Sequence, residues 1–400
     1  DAQRRVFYTS LYRCYERMVN ITEDSRYYSA FDHQVHEDAR PFYVDNWIWD
    51  MFHALQPLHV LLDPKMQADQ LQSYVRMYEQ SGWMPSFAVL WGNYPCMNAN
   101  HAAAWFADAW FKGVRDYDLN KAFEGLRKNS VDATLLPWRK GPKCALDYFY
   151  NEHGYMPALQ PGEPETEPLV NDHEKRQPVA VTLGVSYDDW CIAQLAKAMT
   201  NDADYALFMK RAHNYENVWN AAEGFMWPKD AKGNWIEPFD PKFGGGQGGR
   251  EAYDENNGYT YIWDVMHDYN GLFQLMGGRA GRWRNWTISF AKTWTAANTN
   301  TGPSFPTRPA SSASSCAATA PSVGYCNPPS GRLAVCIRWV PRAWSPSFVV
   351  SERKTASLSA IVASRGMSSP KRMPGTLVSI GLMSPRTSAG ASGFRSYMSR

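Results

Sequence analysis

Residues 188–212 read DDWCIAQLAKAMTNDADYALFMKRA, and their apolar side chains keep a helical period. Ile192, Leu195, Ala196 and Met199 fall at i, i+3, i+4 and i+7, behind Asp188 and Asp189, which suit a helix start. Tyr205, Phe208, Met209 and Ala212 repeat the pattern, with Asn201 and Asp202 as the turn and cap between them. The segment predicts an antiparallel helical hairpin. Outward from it, the same period covers residues 2–19, 45–61, 66–81, 101–113, 119–134 and 260–276, which makes about eight helices before residue 278. Strand-like alternation is scarce. The connectors 83–100, 138–178 and 224–257 are long and rich in Pro, Gly, aromatics and acids, and loops of that length in a compact domain usually carry function. Paired helices with long decorated loops on one side predict a mainly α fold of the (α/α)6 toroid type, its cleft lined by those loops.

Charge divides the chain. Residues 1–278 hold 38 Asp and Glu against 25 Lys and Arg, a net −13, while residues 279–400 hold one acid, Glu352, against 16 bases, a net +15. The near-neutral total of +2 hides this break, which falls just after Gly277-Gly278. The first part reads as most of an enzyme domain. The second is Ser-, Ala-, Pro- and Arg-rich, shows no sustained helical or strand period, and carries five Trp and three Cys, which suit a natural disordered tail poorly. An out-of-frame translation explains it better than a basic arm for nucleic acid. No apolar run approaches the roughly 20 residues a membrane span needs. Cys14, Cys96, Cys144 and Cys191 lack any CxxC or metal-type spacing and read as buried free thiols. The 17 Trp and 22 Tyr suit the aromatic platforms of a sugar cleft, and they serve equally as core.

The densest polar segment is residues 250–268, REAYDENNGYTYIWDVMHD. Carboxylates, amides and aromatics at a helix entrance can hold an acid among neighbours that tune its proton affinity. They can equally form an acidic N-terminal turn stabilised by the helix dipole.

Residues 253–268 resemble the "YTEGNxWQYxWxxPHD" signature of glycoside hydrolase family 92, the calcium-dependent α-mannosidases, through Glu255, Asn257, Tyr261, Trp263, His267 and Asp268. Gly271-Leu272 and Leu275-Met276-Gly277-Gly278 continue it. Trp49-Asp50, Phe52 and Pro57-Leu58 resemble the family's "WDTFRxxHPL". Gly82-Trp83-Met84-Pro85, His101-Ala102, Ala107-Asp108-Ala109 and Lys112-Gly113 resemble "GxMPxW…HAxxxxADAxxKG". Gly154-Tyr155-Met156-Pro157, Tyr187-Asp188-Asp189-Trp190 and Phe239-Asp240-Pro241 follow in order. The departures are Asn256 for Gly, Thr260 for Gln and Gly184 for a frequent Glu, and the later "GNEPxHH" and "GNDDxGQMSAW" segments are absent.

The resemblance implies inverting hydrolysis of α-mannosides in mannose-containing glycans, with Glu255 as general acid. In such chemistry a second carboxylate, roughly 6.5–9.5 Å away, activates water on the opposite face. The family's base belongs to the absent "GNDD" segment, so this chain is expected to be inactive or nearly so. Trp49, Asp50, Trp83, His101 and Trp263 are expected in the substrate cleft, and Asn257 as a weak ligand of the family's Ca²⁺. An incomplete toroid over residues 1–278, a β-sandwich domain preceding it in the parent protein, and a secreted or periplasmic setting are further expectations from the resemblance. Neither nucleic acid nor a membrane is expected as partner. A non-catalytic carbohydrate-binding protein is the competing reading.

Overall fold

The computed structural model describes residues 1–242 and 251–278, together with the backbone of 334–339 and 346–351. Eleven α-helices are described: α1 (Ala2–Arg13), α2 (Ile48–Met51), α3 (Leu55–Leu62), α4 (Pro64–Ser81), α5 (Ala102–Phe111), α6 (Leu119–Asp132), α7 (Ala145–His153), α8 (Pro178–Ala198), α9 (Asp202–Ala212), α10 (Gly258–Tyr261) and α11 (Tyr269–Leu275). The described strands are short and pair into small antiparallel sheets. No described helix is long and apolar enough to cross a membrane.

Helix α8 is the centre. Every residue from Pro178 to Asp189 is buried, as expected of a helix surrounded by others. It packs on α5, α6 and α9. This corrects the helix start expected at Asp188-Asp189, because α8 begins ten residues earlier. Pro178 occupies the first turn, where a missing N–H costs nothing. Val179 and Ala180 donate instead to the Ala252 carbonyl (3.0 and 3.3 Å), so the segment carrying Glu255 lies at the start of α8. Asp189 therefore sits mid-helix, paired with Arg211 of α9 (2.8 Å), which also reaches Asn151 of α7 (2.7 Å) and the Ser130 carbonyl of α6 (3.0 Å).

Short links reverse the chain, and side-chain caps fix each reversal. Asp63 accepts from Met66 N–H (3.0 Å) before α4, Asp118 from Lys121 N–H (2.9 Å) before α6, and Asn201 from Asp204 N–H (3.1 Å) before α9. The α8–α9 hairpin is thus the one read from residues 188–212. The long connectors alternate with these links and gather at the other end.

Other boundaries shifted. The period over 45–61 divides into a strand and two helices, with Pro57 in the first turn of α3. The period over 260–276 breaks into α10 and α11, since Asp268 caps a new start by accepting from Gly271 N–H (2.8 Å). Helix α1 ends at Arg13, and α7 lies inside the connector expected at 138–178. The tail from 279 lies outside the described residues except for two strands, Ala334–Trp339 and Pro346–Ser351. These pair antiparallel with Ala334 opposite Ser351 and correct the expectation of no strand period; Val335 and Ile337, or Phe348 to Val350, are strong strand formers.

Candidate active site

The three long connectors meet in a buried amide–carboxylate network. Asn98 donates to Asp254 (2.9 Å) and to Gln177 (3.5 Å), and Gln177 donates to Glu174 (3.1 Å). Asp254 is only 1% exposed. Around this network the backbone takes left-handed values at residues that are not glycine: Met97 (φ 63), Ala99 (φ 59), Lys175 (φ 57), Gln177 (φ 45) and Glu255 (φ 50). Each such residue costs on the order of 1–3 kcal/mol and persists where the surroundings over-determine it, as they do at functional sites. None of this strain is legible in the sequence.

Glu255 follows Asp254 and is exposed. Its segment is pinned from both sides, since Tyr261 Oη donates to the Asp254 carbonyl (2.8 Å) and Tyr253 Oη to the Met226 carbonyl (2.6 Å). Asp50 on α2, also exposed, lies within electrostatic reach of Glu255. Its helix is placed by the strand Asn46–Trp47, which pairs with Phe87–Val89. The Asp50 carboxyl is raised above the usual range, first by partial burial and then by the charge of Glu255. The structure therefore brings together two carboxylates that are about 200 residues apart in a chain whose long-range order is set by packing.

His101 opens α5 and is 5% exposed. Its Nδ1 bonds Asp188 Oδ1 at 2.9 Å, and Phe52 stacks on its ring at 4.0 Å. The approach of the 98–101 segment to α8 depends on Gly184: a Cβ there would stand 2.8 Å from Ala99 Cβ and 3.1 Å from Asn98 Oδ1. The Gly at the family's frequent Glu position is thus matched by a loop that fills the space. His53 and Asp264 complete the group. Desolvation and then the neighbouring His101 lower His53, which still reaches solvent, to about 4, while desolvation raises the partly exposed Asp264 to about 6 against the pull of His101.

Trp83 lies farther round, partly buried, with the Lys128 ammonium 4.5 Å over its ring. It lines a cavity of about 70 Å³ with Cys96, Asn100, Trp138 and Asp188. Cys96 is one of its walls, and burial first, then the charges of Glu174, Asp254 and Asp50, push the thiol up to about 12. Trp49 and Trp263 are partly buried and pack against separate core clusters. The four cysteines of the body are free, and Cys144 and Cys191 are buried.

Asn257 Oδ1 accepts from Tyr259 N–H (3.0 Å) and caps α10. Among the described residues no three His, Cys, Asp or Glu side chains converge as metal ligands. Asn257 Oδ1, committed to that cap, is poorly placed to serve as a calcium ligand. The sequence singled out neither Asn98, Gln177 nor His53, and it showed Asp254 and Asp264 only as members of the polar segment 250–268, without a signal of their roles.

Residues 1–309 match the model of the glycosyl hydrolase family 92 catalytic domain. The chain belongs to this family. A family 92 inverting mannosidase of Bacteroides thetaiotaomicron is similar at 32% identity and a TM-score of 0.60, over 70% of this chain and 36% of that one. A family 92 α-mannosidase of the same organism is similar at 25% identity and a TM-score of 0.58, over 70% and 34%. This family 92 chain thus spans about a third of the length of these solved structures. No curated protein matches it.

Proposed function

We propose that this chain carries the acid-bearing part of an inverting α-mannosidase site on an incomplete (α/α)6 toroid. The observation that carries the reading is the placement of Glu255, an exposed carboxyl on a left-handed residue where three long connectors interlock, with Asp50 within electrostatic reach. Membership of the family and the similar mannosidases support mannosides as the substrate class.

In the proposed reaction Glu255 gives its proton to the glycosidic oxygen as the bond to C1 breaks. Water activated by a carboxylate then attacks C1 from the opposite face, and the product emerges with inverted configuration. His101 and Asp50 would hold sugar hydroxyls. The base segment of the family pattern is missing from the sequence, and a general base contributes about 10²–10⁴-fold to such a step. Binding should therefore survive where turnover does not.

Calorimetry with methyl α-mannoside, beside nitrophenol release from an aryl α-mannoside, tests this. Binding without measurable release is expected. Release that disappears in Glu255→Gln would sink the inactivity. Absence of binding would sink the site itself.

A further inference from the structure

One buried pair has no part in the proton transfer above. Three histidines are anchored inside the helical body, and they fall into two kinds. His59 Nε2 bonds the Cys14 carbonyl (2.7 Å) and His267 Nε2 bonds the Ala212 carbonyl (2.8 Å). In both, the other nitrogen, Nδ1, is sealed away without a partner among the described residues. That is how a histidine used as core material behaves.

His101 is arranged the other way round. Its Nδ1 meets a carboxylate rather than a carbonyl, and Asp188 uses both oxygens: Oδ1 accepts from His101 (2.9 Å) and Oδ2 from the Asn100 N–H (2.8 Å). A carboxylate that accepts twice fixes the proton on Nδ1 and leaves Nε2 with an open lone pair. No described residue bonds Nε2, yet it is not among the sealed atoms. The ring is held flat by Phe52 at 4.0 Å. Beside Nε2, at Cε1, the helix carries Gly184, where even a Cβ would stand 3.6 Å away. His53, neutral near pH 7, and the Asp264 carboxylate are the titratable neighbours within reach.

We propose that Asp188 is a positioning residue that presents His101 Nε2 as a hydrogen-bond acceptor to a hydroxyl of a bound mannoside. The proposal rests on the mannoside reading of the site. It adds a partner that the motif residues alone do not assign, and it gives a reason for placing Asp188 in the middle of α8, where an unpaired carboxylate would be costly.

The test is nitrogen-15 NMR of the histidines in the full chain, with His101→Phe to assign the signal, together with calorimetry of methyl α-mannoside. Near neutral pH the wild type should show His101 protonated at Nδ1, and the sugar should shift the Nε2 resonance. Asp188→Asn should redistribute the tautomers and weaken binding roughly fivefold, the worth of one net hydrogen bond. In the His101→Phe background the same change should cost nothing further. A wild-type proton on Nε2 overturns the proposal without needing a variant that folds. An Asp188→Asn loss that persists undiminished in the His101→Phe background also overturns it, since Asp188 would then act through the fold. Mannoside binding that ignores both residues sinks this inference alone, whereas absence of mannoside binding sinks it together with the proposed function.

Discussion

Gly184→Ala sets two effects of known size against each other. In the interior of a helix the substitution ordinarily stabilises, by about 1 kcal/mol, because alanine loses less backbone freedom on folding. Here the new methyl would stand 2.8 Å from Ala99 Cβ and 3.1 Å from Asn98 Oδ1. Ala99 Cβ is fixed to a backbone already in the left-handed region (φ 59), so it cannot swing aside as the tip of a long side chain would. Overpacking of this kind costs about 1–3 kcal/mol. The clash should cancel the gain and win by up to about 2 kcal/mol. For a domain of this size that lowers the melting temperature by up to about 8 °C. The displaced 98–101 segment carries both the Asn98–Asp254 bond and His101, so mannoside affinity should fall together with stability. Calorimetric melting and sugar titration on the same preparation measure both. A stabilised variant would refute the reasoning, because helix propensity alone would then be acting and the loop could not lie against α8 as described.

Other outcomes follow from the buried charges. Arg211→Met strips the partner from Asp189, whose side chain is fully buried, and should cost about 3–5 kcal/mol near neutral pH by urea unfolding. Burial already raises Asp189, with Arg211 opposing, so in the variant the folded carboxyl rises further above its unfolded value. The deficit should therefore shrink as pH falls through that raised value, and a pH-independent deficit would contradict it. Asp264, raised to about 6 by burial, is stabilising in its protonated form, and that contribution is lost as pH rises through 6. Asp264→Asn should thus stabilise the chain by about 2–3 kcal/mol at pH 7.5 and change little at pH 4, as read by paired urea titrations. Equal effects at both pH values would assign Asp264 a different role.

The apolar period of residues 188–212 was enough to determine the hairpin and the mainly helical character, because a period of 3.6 is a property of neighbouring residues. Asn201 was legible as a cap for the same reason, whereas Asp268 was not, because the helical period runs straight through the helix that it breaks. Sequence motifs marked Glu255, Asp50 and His101 as candidates for one site. They could not say that Asp50 lies within electrostatic reach of Glu255, that Asp188 lies mid-helix bonded to His101, or that Asn257 caps α10. Those facts depend on contacts between segments distant in the chain. They were decided by the packing of α5, α6 and α9 around α8, and by three connectors whose strained backbone is held by a buried network that no local pattern encodes.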